Sequence, residues 1–497
     1  MAKSNEKIET GKATIKLFEQ LSKEKALEVY VFLSSHKDIL SLDDDVLKDM
    51  LDIIKNKTKY AVIGRKVATD LFGKEDPMGK YLDVGKIAFK VIGVFKDAGG
   101  DNEESYIYIP YTTRQLIEKA NDNVDQIIIA DINKESAESF AASLNQKVAA
   151  IQLDVSDAIA LKQAMEGVNI VVNTCGPYFR FGAPILKAAI SSGCNYLDIC
   201  DDWEPTIDML KLDAAAKSAG ICATIGLGAS PGLTNLMALI AIRELDEVIT
   251  VYTGWDIGGT SLDENAMQQS ENAAMMHGIE QMTGQVKVFQ DGIFKMVKPL
   301  QKVSVDYPGL TKFKGNIFGH PEAVTFPNYF PTLKNSINLA HGDHANFLIL
   351  KSIMGLVNLR LLSKEKAANL FSLLEGKQST QKKHIDIDYP PVMYGFAHGF
   401  KDGMPASVGV CIPSKTKDSD MDEQIKNIGM GEITGIPLAC GIKMLAEGQI
   451  NEVGVLAPEA GHIEPHEFVT KVFEEISDVL GLPNGSLDDS IRITRSW

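Results

Sequence analysis

The sequence has no run of about 20 apolar residues, the length a membrane-crossing helix needs. Its opening, "MAKSNEKIET", has no apolar signal core. The expectation is a cytoplasmic chain that engages no membrane. Basic residues are in deficit: 50 Lys and Arg stand against 66 Asp and Glu, a formal charge of −16. That balance disfavours nucleic acid or an anionic lipid surface as main partner, since both are polyanions. Cysteine is sparse. The six thiols, at 175, 194, 200, 222, 411 and 440, form no C-x-x-C pair and mostly sit in apolar runs such as "GICATIG". Buried free thiols are expected, and no zinc site. "HGDH" (His341, His344) offers only Asp343 as a carboxylate partner, so no metal is expected there either. A further lack concerns glycine. In "KYAVIGRKVATDLFG", 59–73, an apolar strand meets a glycine and a helix follows, as at the start of a dinucleotide-binding fold. The spacing G-x-G-x-x-G is missing, and Gly64 stands alone before Arg65 and Lys66.

Apolar material is plentiful. With 497 residues, 45% of them hydrophobic, the chain has enough for two to four domains with sizeable cores. Residues 1–57 read as a helical extension, through "ATIKLFEQLSKEKALEVYVFLSSH" and "SLDDDVLKDMLDIIKNK". Nothing in that stretch carries chemistry, and packing or oligomerisation explains it. Residues 58–116 change character. "KYLDVGKIAFKVIGVFKDAGGDNEESYIYIP" alternates apolar and polar residues and is broken by glycines, a small meander of strands. This stretch resembles the extracytoplasmic domain of ABC-transporter permeases of the macrolide-export and lipoprotein-release type. The resemblance is carried by "AVIGRKVATDLFGKEDPMGKYLDVGKIAFKVIGVF", with "YIPYTT" further on. The stretch carries neither the permease's membrane helices nor its ATPase partner, so the export function is not carried over.

From about residue 124 short apolar strands alternate with amphipathic helices. "VDQIIIADIN", "KVAAIQLDVSD", "NIVVNTCGP", "NYLDICD" and "ICATIGLGASPG" read as buried strands with their exit loops. The pattern implies an α/β fold, a Rossmann-like doubly wound parallel sheet with right-handed crossovers and an atypical first βα unit. It is expected over 117–235 plus 434–497. Residues 236–433 mix helices and strands, as an inserted α+β substrate or dimerisation domain does.

In a doubly wound sheet the ligand lies beyond the carboxyl ends of the strands. Asp131 follows "QIIIA", where a carboxylate receives the ribose hydroxyls and repels a 2′-phosphate, which favours NAD over NADP. A strand-end Asp also caps the next helix. Asp154 in "LDVSD" is a candidate neighbour of the adenine, or a cap with Ser156 or Asp157. After "IVV" come Asn173, Thr174, Cys175, Gly176 and Pro177, a sharp turn whose backbone suits the nicotinamide side. Gly64 is the remaining cofactor candidate. Arg180 is a candidate partner for a substrate carboxylate. Asp198, Asp201, Asp202, Trp203 and Glu204 crowd one strand end and suit an amine or a proton transfer. "GLGASPG" clusters glycines, which close backbone packing explains.

These residues together resemble the saccharopine dehydrogenase family. The resemblance lies in "NTCGPYFRFGAPILKAAISSGCNYLDICDDW", "GICATIGLGASPGLTNLMA" and "TGIPLACGIKMLAEGQINEVGVLAPEA", across roughly 124–497. It implies a Rossmann domain with an inserted α+β domain and an NAD- or NADP-dependent reaction at the C–N bond of a secondary amine joining two amino-acid-like halves. On that footing Asp198, Asp202 and Arg180 are the catalytic candidates. Tyr178, Trp203, Ser230, Pro231, Gly232 and His277 are the substrate candidates, and a homodimer of amino-acid metabolism is expected.

The family begins with a glycine-fingerprint strand, and here the permease-like segment stands in its place. Two arrangements are open. "YAVIG" inserts as the missing central strand, with Arg65 and Lys66 near phosphates, or residues 58–112 fold as their own β unit beside an incomplete sheet. The continuous permease pattern favours the second. Fused or misjoined reading frames would explain such a chain. The rival to an enzyme is then a non-catalytic binding protein that keeps the two-domain cleft. A permease-derived periplasmic adaptor is disfavoured. If Asp131 receives the ribose hydroxyls, Asp131→Ala weakens NAD binding more than NADP binding in a calorimetric titration; equal losses contradict the assignment.

Overall fold

The computed structural model describes strands at 59–64, 81–84, 87–95 and 107–108 and residues 124–142, 148–257, 278–279, 281–342, 344–359, 361–363, 367, 390–412, 430–480 and 491–497. The helical reading of 1–57, the helix "RKVATDLFG" and candidate His277 lie outside the described residues. The chain divides into two compact units, one holding 1–109, 128–152 and 264–270, the other 110–127, 153–263 and 271–497.

In the first unit, β1 (Lys59–Gly64), β2 (Tyr81–Val84), β3 (Ile87–Phe95) and β4 (Ile107–Tyr108) form one sheet in the order β2-β3-β1-β4. β1 runs parallel to β3, with a shift of register between Ala61 and Val62, and antiparallel to β4. Of the two arrangements open from sequence, the observed one gives this segment its own sheet. Gly64, paired with Phe95, closes a strand of that sheet and not the first strand of the dinucleotide fold. The same unit holds β5 (Ile127–Asp131), α1 (Lys134–Ala142) and β6 (Val148–Gln152), with β5 and β6 as a separate two-stranded pair. The sequence reads β5 as buried, but Ile128 is 40% exposed.

The second unit begins with α2 (Ala158–Ala164), β7 (Ile170–Asn173), α3 (Tyr178–Ser192) and β8 (Asn195–Asp198). It continues through α4 (Trp203–Leu210), α5 (Asp213–Ala219), β9 (Cys222–Thr224) and α6 (Leu233–Arg243). Helix α2 starts where the Asp157 carboxylate accepts from the backbone N–H groups of Ile159 and Ala160, at 2.9 and 3.1 Å. The parallel sheet runs β18-β9-β8-β7, completed by β18 (Gly454–Leu456). Parallel neighbours cannot be joined by tight turns, so helices carry each return. This is the expected α/β class, with one difference. A doubly wound order 3-2-1-4-5-6 written for this chain is β6-β5, then a first strand, then β7-β8-β9. The hydrogen-bonded order among the described residues stops where that first strand belongs, and Val172 on β7 is 38% exposed.

The additional domain is a nine-stranded sheet. Its path uses β10 (Glu247–Asp256), β11 (Val286–Gln290), β12 (Ile293–Val297), β15 (Asn335–His341), β16 (Met393–Lys401) and β17 (Met404–Ile412), in the order β12-β11-β15-β10-β16-β17. β13 (Lys302–Val305) pairs with β14 (Phe313–Ile317), which pairs with β15. Helices α7 (Glu322–Tyr329) and α8 (His344–Asn358) flank β15 in the chain. The tail splits between the two sheets. α9 (Met430–Ala446), β18 and α10 (Pro465–Leu480) serve the parallel sheet, while β19 (Arg492–Ser496) adds to β17.

Helix α6 joins these layers. Its sequence "LTNLMALIAIR" has no polar face, and every residue from Leu233 to Ile242 is buried. Leu236, Met237 and Ile240 share one core with Val251, Ala397, Val408, Ile436, Phe468 and Val472, drawn from the large sheet and from α9 and α10. The backbone of α6 lies directly on β16 because Gly395 has no side chain; a Cβ there would overlap the backbone of Ala238. Gly395→Ala is expected to cost about 2–3 kcal/mol, as overpacking against rigid backbone does. Urea unfolding should show a lower midpoint at unchanged slope.

Candidate active site

Strands β7, β8 and β9 end in register, Asn173 beside Asp198 and Leu197 beside Thr224. Their last side chains form one buried chain of hydrogen bonds. Asn173 Nδ2 donates to the Tyr196 hydroxyl at 2.9 Å, and that hydroxyl donates to Asp198 Oδ2 at 2.9 Å. Asp198 Oδ1 accepts from the backbone N–H groups of Gly226 at 2.7 Å and Cys200 at 3.0 Å. Tyr178 Oη donates to the Asn173 carbonyl at 2.9 Å, and Asn173 Oδ1 accepts from Cys175 N at 3.0 Å. Burial pushes the Asp198 carboxyl up to about 6, against the pull of these three donors. The same burial, with Asp198 nearby, pushes the Tyr178 and Tyr196 hydroxyls up. Asp198 and Tyr178 are thus sealed in and hold the rim in shape. Thr174 and Gly176 are exposed beyond them, and the Gly176–Pro177 peptide is cis.

The next loop carries the acids. Asp202 stands at the N-cap of α4 without capping it. Gln281 reaches across from the inserted domain, and its Nε2 donates to the Asp201 carbonyl at 3.0 Å, to Asp201 Oδ2 at 3.2 Å and to Asp202 Oδ1 at 3.4 Å. Trp203 is half-buried, with Lys287 Nζ 5.1 Å from its ring centroid. Arg180 is exposed in the first turn of α3, its guanidinium 4.9 Å from the Phe181 ring.

A second polar cluster lies where the "GASPG" loop meets the inserted domain. The Ser230 hydroxyl donates to Glu322 Oε1 at 2.6 Å, and the Thr234 hydroxyl donates to the same oxygen at 3.0 Å. Asn338 Nδ2 donates to Glu322 Oε1 at 3.1 Å, to Thr253 Oγ1 at 3.0 Å and to Ser230 Oγ at 3.3 Å. His320 Nδ1 lies 3.4 Å from Ser230 Oγ and 3.5 Å from Glu322 Oε2. Burial alone would raise the Glu322 carboxyl, but His320 and Ser230 outweigh it and hold it below the usual range. Burial likewise pulls the His320 imidazole down, and Glu322, then Asp201 and Asp202, lift it above its ordinary value. Gly232 has φ +123°, and its N–H donates to Asn235 Oδ1 at 2.9 Å. The Ser230–Pro231 peptide is cis, and Pro231 is buried. Asn235 Nδ2 in turn donates to Glu459 Oε2 at 2.7 Å, and burial pushes the Glu459 carboxyl up to about 7.

The rim therefore brings together Asn173, Cys175, Tyr178 and Asp198, while the second cluster takes in Ser230. Two cofactor candidates make local turns. Asp131 Oδ1 accepts from Asn133 N at 2.8 Å. Asp154 Oδ1 accepts from the Ser156 hydroxyl at 2.6 Å and its N–H at 2.9 Å, which draws the carboxyl below its usual value. Sequence reasoning missed Gln281, His320, Glu322 and Asn338. The available signal was "FGHPEA", a His and an acid two residues apart just after a strand.

The raised Asp198 carboxyl sets the sign of a pH dependence. In the folded state it keeps its proton up to about 6, whereas an unfolded Asp loses it near 3.8. The folded state thus binds the extra proton between these values, so this group's contribution to stability falls as pH rises from about 4 to about 6 and is level above. Asp198→Asn removes that term. Urea unfolding of both proteins should show their stability difference changing by about 3 kcal/mol across the window.

Comparison with known proteins finds two family descriptions that match stretches of this chain. The description "Saccharopine dehydrogenase NADP binding domain" matches residues 112–224, and "MacB-like periplasmic core domain" matches 45–147. The chain is 22% identical to carboxyaminopropylagmatine dehydrogenase of Synechocystis over 391 residues, 73% of this chain and 92% of that one. It is 30% identical to the NADP(+), L-glutamate-forming saccharopine dehydrogenase of Pyricularia oryzae over 135 residues, 27% of this chain and 29% of that protein. It is 39% identical over 66 residues to the macrolide export ATP-binding/permease protein MacB of Wolinella succinogenes, 12% of this chain and 10% of that protein. The chain is thus similar to a dehydrogenase over most of its length and to the saccharopine dehydrogenase NADP-binding description over 112–224, with a MacB-like match over 45–147.

Proposed function

We propose that this protein is an oxidoreductase of the saccharopine dehydrogenase type that uses NAD or NADP. Its substrate is an amino-acid-derived secondary amine, and the bond made or broken is C–N. The observation that carries the reading is the pairing of a parallel-sheet rim, Asn173–Pro177 and Asp198, with a buried acid–base cluster around Glu322, on a chain similar to dehydrogenases. When bound, the nicotinamide would supply the hydride acceptor or donor. The turn at Thr174–Pro177 fits its nicotinamide end, because exposed backbone at Gly176 lets a flat ring approach.

The residues do not fit the pyrophosphate equally well. Phosphate binding in this fold relies on a glycine loop leading into a helix N-terminus after the first strand. Among the described residues that strand is missing from the parallel sheet, and Gly64 belongs to β1 in another. We therefore propose a weakened grip on the cofactor. The broken strand order also favours a second reading, a binding protein that keeps the cleft without turnover.

Fluorescence titration of the full chain with NADH and with NADPH separates the two. Saturable binding in the micromolar range supports the oxidoreductase. No binding at millimolar cofactor supports the binding protein.

A further inference from the structure

The hydrogen-bond network around Glu322 fixes which nitrogen of His320 is available. Ser230 has one hydroxyl proton, and at 2.6 Å it goes to Glu322 Oε1. Ser230 Oγ can then only accept from His320 Nδ1, 3.4 Å away, and Glu322 Oε2 also faces Nδ1. Nδ1 therefore carries the proton in the neutral ring, which leaves the lone pair on Nε2. Glu322 is 1% exposed, and its Oε2 has no partner within strict hydrogen-bond geometry. Asn338, Thr234 and Ser230 hold the other oxygen, so the carboxylate cannot turn away from the imidazole. His320 keeps 6% of its side chain exposed. Trp255 and Phe318 pack against the ring, at centroid distances of 5.9 and 5.3 Å. The charged groups that face the ring come from two elements, Glu322 at the start of α7 and Asp201 and Asp202 on the β8–α4 loop.

A carboxylate that orients one imidazole nitrogen and leaves the other as a base is an acid–base arrangement. We propose that His320, oriented by Glu322 and Ser230, exchanges the proton of the substrate nitrogen. This rests on the secondary-amine reading above. A bound ammonium gives one proton to Nε2, and its nitrogen keeps the electron pair and becomes a neutral amine. The imidazole becomes an imidazolium, its charge balanced by Glu322 and the Asp201–Asp202 pair. Proton return follows the same path backward. Asp198 plays no part in the exchange, because its oxygens are committed to Tyr196, Cys200 and Gly226.

The test is an NMR titration of the full chain with ring-labelled histidine. The nine histidines are distinguished by comparison with His320→Asn. The His320 signal should titrate above the ordinary histidine value. Saturating saccharopine should lower its midpoint by about one unit, a tenfold loss of proton affinity, since two cations cannot share the site. Glu322→Gln, which keeps the shape, should bring the midpoint in the ligand-free protein down. In His320→Asn, NADH binding should be unchanged, while kcat falls about 10²–10³-fold with little change in KM and the pH profile loses its limb. If NADH binds but the His320 signal ignores both saccharopine and Glu322→Gln, the proposal fails and the oxidoreductase reading stands. If NADH does not bind at all, both fail.

Discussion

The second unit is organised by a helix that has no side to give to water. From Leu236 to Ile242 helix α6 is apolar around its whole circumference, so something must cover each of its faces. The core that does so is shared by the β10–β16–β17 sheet face and by α9 and α10. Close-packed interiors tolerate little displacement, so the parallel sheet and the inserted sheet are fixed through this one helix. Its first turn carries the same constraint into the polar cluster. Thr234 and Asn235 begin a buried helix, so their polar atoms need buried partners, and they find them in Glu322 and Glu459. The residues that settle the fold therefore also settle where Glu322 points.

Among the described residues, the parallel sheet shows what a doubly wound fold loses when its first strand is not in place. That strand sits in the middle of the usual order and touches both halves. Here β7 ends the parallel sheet, among the described residues, with a half-open Val172, and β5–β6 forms a separate pair with Ile128 exposed. Sheet edges of this kind present unpaired backbone groups and bare apolar side chains. Strands β1 to β4 do not make up the deficit, because among the described residues they pair with one another.

Much of this was legible in the sequence, and the limits have physical causes. "NIVVN", "NYLD" and "CAT" read as buried parallel strands because apolar runs of that length between turn signals have few other uses. The fate of "YAVIG" was visible only as a choice, since a strand's local pattern does not name its neighbours. Asp131 and Asp154 show a different limit. A carboxylate at a strand end satisfies local N–H groups as readily as it meets a ribose, and spacing looks the same in both cases. Asp198 looked like a reactive acid, yet burial and backbone donors tie it down, and neither is written in "NYLDICD". His320 and Glu322 escaped notice because their partners, Ser230, Thr234 and Asn338, lie far away along the chain.

The pairing of β19 with β17 bears on the order in which the protein takes shape. The large sheet receives its edge strand only after α9, β18 and α10 have been made. Until residues 492–496 leave the ribosome, β17 is an open border beside a growing chain. The guanidinium of Arg495 then meets Glu244 at the foot of α6, at 2.8 and 3.0 Å, and closes it. The large sheet, though it begins with β10, thus receives an edge strand that is made after the last strand of the parallel sheet.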